Sequence, residues 1–308
     1  MSVDLYAAAA EWLVDRRARG YRLADHDWLV ASFLDGLAAR GVTTITVAEA
    51  MAFAQQRPGT DRRWQAARLR VVRGLAAYVH ALDVAAAELV PPGLIPARLT
   101  RRTPYLYSAD DIARLMSAAA ALSPPMLAAS MATLIGLLAS TGMRGGEAFA
   151  LDLDDLDADA ELLTVTGKYG KRRFVPLHPT TVAALADYQR VRAVRAGPNG
   201  PLLVGAKGGR LNPNTARAAF RALADGCGLA SRPGCGPPRL HGLRHTFAVD
   251  TLVDAHRRGA DVDARITTLA TFLGHVEPAN TYWYLSASPE LMAIVTERVS
   301  AAAWRRRP

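Results

Sequence analysis

The sequence predicts a mainly α-helical protein with a helical N-terminal domain and a mixed α/β second domain that contains a small antiparallel sheet. Three observations support this. The chain has 308 residues, apolar residues recur at helical spacing along most of it, and two β-branched runs flank one glycine-containing turn. Half of the residues are hydrophobic, which suffices for packed cores and argues against a disordered chain.

In the first part of the chain, apolar spacing predicts helices at about 5–17, 27–39 and 47–55. After a break at Pro58-Gly59, a longer helix carries one apolar stripe formed by Trp64, Val71, Val72, Leu75, Val79 and Leu82. Four arginines fall largely off that stripe: Arg62, Arg63, Arg70 and Arg73. They are either a solvated basic face or a face that contacts phosphates, and this segment alone favours neither.

A stretch rich in proline and arginine, at about 91–104, predicts an extended basic linker. Its arginines include Arg98, Arg101 and Arg102, which are candidates to lie along a DNA backbone. We therefore place the domains at 1–104 and 105–308. Ser108 and Asp111 then predict a helix start, with Ser108 as the N-cap.

The second domain contains a weakly polar run from Met126 to Met143, which predicts a buried helix because its polar residues argue against a membrane span. Further along, Leu162–Thr166 and Arg172–Leu177 flank Gly167-Lys168-Tyr169-Gly170-Lys171 and predict a β-hairpin. The acidic run before it, from Asp152 to Glu161, lacks a calcium-loop pattern and predicts a solvated turn.

The formal net charge is +9, which makes nucleic acid the first candidate partner, although a basic surface without a specific partner also fits. Two cysteines and an N-terminus without signal-peptide features predict a cytoplasmic protein. A DNA partner would associate it with the bacterial nucleoid. We expect no metal site, because one potential ligand group has no standard zinc spacing: Cys227, Cys235, His241 and His245.

Metal-free chemistry on a phosphodiester requires guanidinium groups for the phosphate oxygens, a hydroxyl nucleophile, and an acid for the leaving oxygen. The chain offers such a set in five pieces: Thr141-Gly142-Met143-Arg144-Gly145-Gly146-Glu147, the hairpin with Lys168, His241-Gly242-Leu243-Arg244-His245, Leu273-Gly274-His275, and Tyr282-Trp283-Tyr284. Arg144 and Glu147 would share a helical face if helix continues there, and His241 and Arg244 have the same spacing. Taken singly, an Arg–Glu pair can simply brace the fold and a turn lysine is usually solvated.

The order and spacing of these pieces resemble the tyrosine recombinase (phage integrase) family over about residues 105–300. The family pattern includes a Gly-Lys-x-x-Lys-x-Arg-x-Val-Pro-Leu hairpin, here at 167–177, and a tyrosine nine residues after the Leu-Gly-His histidine, here Tyr284. Gly242 departs from the pattern, which often has aspartate there, and Tyr169 stands where glycine is common. Neither departure removes a candidate catalytic group.

The resemblance implies a role for each matched residue. Tyr284 would attack the scissile phosphate and form a 3′-phosphotyrosyl link, with Tyr282 as the alternative nucleophile. Arg144, Arg244 and His275 would hold the phosphate, while Lys168 would protonate the leaving 5′ oxygen, with Lys171 as the alternative acid. His241 would assist the tyrosine proton, and Glu147 would orient its neighbours. Lys171 and Arg173 are further DNA-contact candidates. No cofactor, metal or ATP is implied.

The resemblance further implies a helical core-binding domain, double-stranded DNA as partner, and a homotetramer on paired sites or a complex with other recombinase subunits. The sequence around Tyr284 is similar to that of transposon- and plasmid-borne recombinases, so we expect a mobile-element enzyme for integration, excision or transposition. The alternatives are a type IB topoisomerase-like enzyme that relaxes DNA as a monomer, a DNA-binding accessory protein without catalysis, and a metal-dependent nuclease built on the acidic run.

Overall fold

The computed structural model describes residues 3–21, 23, 25–56, 61–96, 103–167, 170–231 and 233–274. The chain divides into two units, Met1–Arg101 and Arg102–Pro308. The division falls between residues 101 and 102, and the sequence predicted it near residue 104. The mainly helical class with one small antiparallel sheet is confirmed.

The N-terminal unit contains four helices in its described residues: α1 (Leu5–Ala18), α2 (His26–Ala38), α3 (Val47–Gln55) and α4 (Arg62–Leu82). Three of them begin at a side chain that accepts hydrogen bonds from the first backbone N–H groups: Asp4 for α1, Thr46 for α3 and Asp61 for α4. Such caps satisfy donors that the helix itself leaves without a partner, and so fix where each helix starts.

The core of this unit forms where α4 buries one face. Leu75 and Val79 are fully buried, and the rings of Phe33 and Phe53 meet edge to face at 5.2 Å. The predicted stripe was wrong at one position, because Leu82 is 53% exposed as the last residue of the helix. The opposite side of α4 is therefore left for the basic residues described below.

The second unit continues with seven helices, a short 3₁₀ turn and three strands in its described residues. They are α5 (Ala109–Ala120), α6 (Pro125–Thr141), α7 (Gly145–Ala150), the 3₁₀ turn Leu153–Asp155, β1 (Leu156–Asp157), β2 (Leu162–Thr166), β3 (Arg172–Pro176), α8 (Pro179–Ala193), α9 (Pro213–Gly226), α10 (Leu240–Arg257) and α11 (Val262–Leu273). The predicted cap of α5 is confirmed, since Ser108 Oγ and the Asp111 carboxylate each accept the other residue's backbone N–H.

Helix α6 is the centre of this unit and packs against α5, α8 and α10. Its buried residues include Met131, Leu134 and Ile135, as expected for a helix that is apolar on most of its surface. Among the helices that the structure describes, none combines the length and apolar character needed to cross a membrane. Helix α6 ends at Gly142, whose φ of 59° turns the chain away from the helix.

The sheet has the strand order β1-β2-β3, with both pairs antiparallel, so the predicted hairpin is confirmed as β2 and β3. Leu163 pairs with Val175, and Val165 pairs with Arg173. Because side chains alternate along a strand, these residues share the face that turns toward the core, whereas Arg172 lies on the open face. Arg173 therefore points inward from an edge strand.

Helices α10 and α11 pack against each other through a small apolar cluster, in which the rings of Phe247 and Phe272 stack at 5.6 Å. Helix α10 also packs on α6. The C-terminal end of α11 is thereby held close to the point where α6 ends.

Candidate active site

Arg144 lies between two helices and not within one. Helix α6 ends before it and α7 starts after it, so Arg144 is the N-cap of α7 with an extended backbone. No helix continues through Arg144, so the condition under which the pair would share one helical face is not met. Instead, the Glu147 side chain folds back toward Arg144 and accepts two hydrogen bonds from it, each of 2.9 Å. Oε2 accepts from the Arg144 backbone N–H, and Oε1 accepts from Arg144 Nη1. The Arg144 side chain remains 40% exposed.

Arg244 projects from α10 and is buried, with 2% exposure. Its Nη1 donates to the Gly142 carbonyl and its Nη2 to the Leu273 carbonyl, each at 2.8 Å. The guanidinium thus joins the end of α6 to the end of α11. A planar group with two bonds in fixed directions has little freedom to rotate, so the fold pre-orients it.

Three consecutive carbonyls at the end of α11 accept hydrogen bonds from three different arginines, which we call the arginine cluster: Arg144, Arg173 and Arg244. Arg173 Nε donates to Phe272 at 3.0 Å, Arg244 Nη2 to Leu273 at 2.8 Å and Arg144 Nη2 to Gly274 at 3.1 Å. The last carbonyls of a helix have no partner within it, and they carry the negative end of its dipole. This helix end therefore gathers guanidinium groups from β3, α10 and the start of α7.

Glu147 is buried beneath this cluster, and Arg173 binds it with two parallel hydrogen bonds, of 3.0 Å to Oε1 and 2.8 Å to Oε2. Burial by itself raises the pKa of Glu147. The hydrogen bonds from Arg173 and from the Arg144 backbone, with the two guanidinium charges, outweigh burial, so the pKa lies below its ordinary range. Glu147 is therefore an ionised carboxylate shared between two arginines.

His241 lies in the first turn of α10 and is exposed, with its ring edge-on to that of His245 at 4.6 Å between centroids. Although the ring reaches solvent, desolvation by the protein around it lowers its pKa, and the charges of Arg244 and Arg144 lower it further. The neutral imidazole is favoured as a result, and a neutral imidazole can accept a proton or a hydrogen bond.

Gly242, where the resembling family often has aspartate, lies against the segment that leads into α5. A Cβ at this position would lie 2.7 Å from Tyr107 Cε2 and 2.9 Å from the Tyr105 carbonyl oxygen. The Tyr107 hydroxyl in turn donates to the Arg239 carbonyl at 3.0 Å. Tyr107 therefore fills the space that an aspartate side chain at position 242 would need. The glycine at this position still leaves His241 and Arg244 on the same helix.

Four predicted site residues lie outside the described residues: Lys168, His275, Tyr282 and Tyr284. Their described neighbours in sequence do touch the site. Gly167 N–H donates to the Lys171 carbonyl at 2.7 Å and closes the hairpin turn, and a Cβ on Gly167 would lie 3.8 Å from Glu147 Oε1. Gly274, which accepts from Arg144, directly precedes His275.

The DNA-contact candidates fall into three groups. Arg62, Arg63 and Arg70 are exposed on α4 and Arg73 is half-buried there. Lys171 is exposed on the hairpin turn, whereas Arg98, Arg101 and Arg102 lie outside the described residues. Arg173 was predicted with them but differs, because its side chain is only 16% exposed and its N–H groups point at Glu147 and Phe272.

The metal-binding alternatives can be compared with the described residues, among which no group of three or more His, Cys, Asp or Glu side chains is close enough to hold an ion. Two carboxylates of the acidic run bind backbone N–H groups of the same segment: Asp155 accepts a hydrogen bond from the Asp152 N–H, and Asp157 accepts one from the Ala160 N–H. Sequence reasoning missed two features of the site, the role of Arg173 toward Glu147 and the carbonyls of α11. Residue types carry no signal for a backbone acceptor.

Comparisons with known proteins identify the family. Residues 106–290 match the model of the phage integrase family. The protein y4rB of Sinorhizobium fredii, named as an integrase/recombinase, is 38% identical over 303 residues, which covers 95% of this chain and 96% of y4rB. The tyrosine recombinase XerC of Methylobacterium nodulans is 31% identical over 302 residues, covering 91% and 88%.

The fold is also similar to that of a solved structure, the Tn1549 transposon integrase in complex with transposon right end DNA. The TM-score is 0.61 at 14% identity, with 95% of this chain and 99% of that chain covered. The chain belongs to the phage integrase family and is a site-specific tyrosine recombinase, an enzyme that breaks and rejoins DNA.

Proposed function

We propose that the arginine cluster marks the site where this recombinase cleaves DNA, with Arg144 and Arg244 on the non-bridging oxygens of the scissile phosphate. The observation that carries the proposal is the convergence of both guanidinium groups on adjacent carbonyls, Leu273 and Gly274, at the end of α11. Two fixed cations at one point can stabilise the charge that develops on the phosphate during the reaction, without reorganising as it develops.

In the proposed reaction the Tyr284 oxygen attacks the phosphorus in line and the bond to the 5′ oxygen breaks. A 3′-phosphotyrosyl bond forms, and the leaving 5′ oxygen takes a proton from Lys168, with Lys171 as the alternative acid. His275 donates to the same phosphate, and His241, neutral by its lowered pKa, accepts the tyrosine proton. Because the phosphotyrosyl bond stores the energy of the broken linkage, rejoining requires no ATP.

The contacts of the residues that directly precede Lys168 and His275 in sequence support the proposed roles. Gly167, one residue before Lys168, lies beside Glu147, and Gly274, one residue before His275, is bonded to Arg144. Each of the two residues is thus one peptide unit from the cluster. A lysine and a histidine so tethered have a short reach to a phosphate held by Arg144 and Arg244.

The proposed biological role is integration, excision or transposition of a mobile element by subunits that assemble as a homotetramer on two paired sites. The similarity to y4rB over nearly the whole length of both chains and the likeness of fold to the Tn1549 integrase support this role. A topoisomerase would relax DNA as a monomer, so exchange of strands between two duplexes distinguishes the two activities.

The experiment for the proposed chemistry is covalent capture. The protein is incubated with chelator and with nicked duplexes tiled across the DNA on both sides of its gene, and the products are run on a denaturing gel. We expect at least one duplex to give a covalent protein–DNA band, since loss of the short fragment beyond the nick prevents rejoining. Binding to every duplex without any covalent band would contradict a catalytic role and favour an accessory protein.

We further propose that one face of α4 contacts DNA phosphates in a core-binding domain. At about 100° per residue, the four arginines of α4 fall within roughly 100° of its circumference, opposite the buried face that includes Leu75 and Val79. Two of them, Arg62 and Arg63, occupy the first turn, where the helix dipole disfavours a positive charge in the absence of an anion.

Neutralising one of these arginines should weaken binding on all DNA sequences alike. We expect Arg70→Gln to reduce the magnitude of the slope of log affinity against log salt by about 1, because one phosphate contact is lost. Fluorescence anisotropy between low and moderate salt measures the slope. Arg19→Gln is the matched control, since Arg19 is exposed on another helix end and paired with Asp15. An unchanged slope for Arg70→Gln would contradict the contact.

A further inference from the structure

Arg173 occupies an unusual place for a residue predicted to contact DNA. It projects from the inner face of an edge strand, and its side chain is 16% exposed. Its guanidinium binds both oxygens of Glu147 and the Phe272 carbonyl, so three hydrogen bonds in two directions hold it. The charge of Arg173 is paired with the Glu147 carboxylate, whereas Arg244 is bonded to neutral carbonyls and keeps its charge for a phosphate.

The charges around Glu147 show what Arg173 contributes. Glu147 carries one negative charge and is bonded to two guanidinium groups, those of Arg144 and Arg173. With both arginines present, the three groups together keep one net positive charge. Without Arg173, the carboxylate would be balanced by Arg144 alone, and the pair would be neutral where an anionic phosphate must bind.

Geometry points the same way. Glu147 Oε1 accepts from both Arg144 Nη1 and Arg173 Nη1. If Arg173 were removed, the buried carboxylate would have to satisfy its charge from Arg144, drawing that guanidinium toward the bidentate arrangement that Arg173 now occupies. Arg144 would then turn away from the Gly274 carbonyl and from the exposed side where a substrate can reach it.

We infer that Arg173 is a positioning residue: it neutralises Glu147 and ties the hairpin to the end of α11, so that the charge and orientation of Arg144 remain available for the scissile phosphate. This inference rests on the proposed function of Arg144. In this role Arg173 binds Glu147 and does not contact DNA. The hairpin would then have two functions, to position Lys168 and to hold Arg173 against Glu147.

The test compares Arg173→Met with Arg173→Met/Glu147→Gln on the duplex that gives most covalent complex with the unmodified protein. We expect Arg173→Met to slow cleavage by about a hundredfold, as displacement of a catalytic group by about an ångström can do. Removing the carboxylate charge as well should restore part of the rate, because a neutral amide at position 147 no longer draws Arg144 toward it. A purely structural role for Arg173, or a phosphate contact, predicts no such recovery.

DNA binding provides the second comparison. The slope of log affinity against log salt in Arg173→Met/Glu147→Gln should equal that of the unmodified protein, because Arg144 is again available to the phosphate. A phosphate contact made by Arg173 itself would keep the magnitude of the slope reduced by about 1 in both variants. Arg172→Met is the matched control, since Arg172 is the exposed neighbour on the same strand. It should leave cleavage of bound DNA at the rate of the unmodified protein.

Thermal melting gives a readout that does not depend on cleavage. Glu147, faced by Arg144 and Arg173, has a lowered pKa, so its ionised form stabilises the fold above the unfolded pKa, and this contribution is lost as pH falls through the folded pKa. In Arg173→Met the carboxylate loses one cation and its pKa should rise. The loss in melting temperature should therefore be full at neutral pH and should shrink as pH falls below the ordinary pKa of 4.5, through the lowered folded pKa, and the double variant should lack this pH dependence.

The outcomes separate the inference from the function on which it rests. No covalent band from the unmodified protein overturns the proposed function and with it the catalytic role of Arg173, while melting still reports whether Arg173 neutralises Glu147. A band from the unmodified protein with no rescue in the double variant overturns the inference alone. If Arg173→Met fails to fold, Arg173→Gln replaces it, because a glutamine amide removes the charge but can still donate a hydrogen bond to Glu147.

Discussion

Arg244→Lys should lower the rate of covalent complex formation by about 10³-fold, because it removes one of the two guanidinium groups proposed to meet the phosphate. The fold holds Arg244 by one bond to the end of α6 and another to the end of α11. An ammonium group on a flexible stem keeps the charge but cannot span both carbonyls and still offer aligned donors to an anion. Charge alone is therefore not expected to suffice.

Single-turnover cleavage at saturating protein measures this effect, since it separates the chemical step from DNA binding. Arg258→Lys is the matched control, because Arg258 caps the same helix at its far end and its side chain is 77% exposed. A cleavage rate for Arg244→Lys within a few-fold of the unmodified protein would show that Arg244 acts as a structural brace and does not hold the phosphate.

Gly142→Ala should destabilise the second unit by about 2–4 kcal/mol, since it combines backbone strain with overpacking. Gly142 has a φ of 59°, a backbone conformation that residues other than glycine rarely adopt. A Cβ added at this position would lie 2.4 Å from Phe247 Cδ1. The Gly142 carbonyl is also the acceptor for Arg244. Any shift that relieves the clash therefore moves an acceptor of the proposed active site.

Thermal melting checks the loss of stability, and single-turnover cleavage checks the accompanying displacement of Arg244. Gly146→Ala is the control, since Gly146 lies in α7 with open space around its Cβ position. It should leave stability unchanged or raise it by about 0.5–1 kcal/mol. Equal melting temperatures for Gly142→Ala and the unmodified protein would contradict the strain argument.

Local patterns predicted most of the fold because their causes are local. The caps at Ser108 and Asp111 form from residues three apart, and the β2–β3 hairpin forms from two runs joined by one short turn. The boundaries of α3 matched the prediction of a helix at about 47–55. Contacts between residues far apart in the sequence were not predicted, as Arg68 on α4 shows. It is buried, with its guanidinium 4.0 Å from the centre of the Phe53 ring, a contact that helical spacing does not reveal.

The sequence predicted those parts of the site that consist of side chains. Residue order brought Arg144, Glu147, His241 and Arg244 to attention, and the structure brings all four to the region around the end of α11. What sequence could not supply is the set of backbone carbonyls that orient the guanidinium groups, since any residue type provides a carbonyl. For Arg173 the sequence predicted a DNA contact and gave no sign of its bonds to Glu147 and Phe272, because strand alternation alone does not say which side of an edge strand meets Glu147.

The central claim is that Tyr284 forms the covalent link to DNA. The most direct measurement traps the complex on a nicked duplex, digests the protein and DNA, and identifies the peptide that carries the residual nucleotide by mass spectrometry. Tyr284→Phe and Tyr282→Phe are run in parallel. We predict a nucleotide on Tyr284, no covalent complex from Tyr284→Phe, and a retained complex from Tyr282→Phe. A nucleotide on Tyr282, or a complex that survives Tyr284→Phe, would contradict the claim.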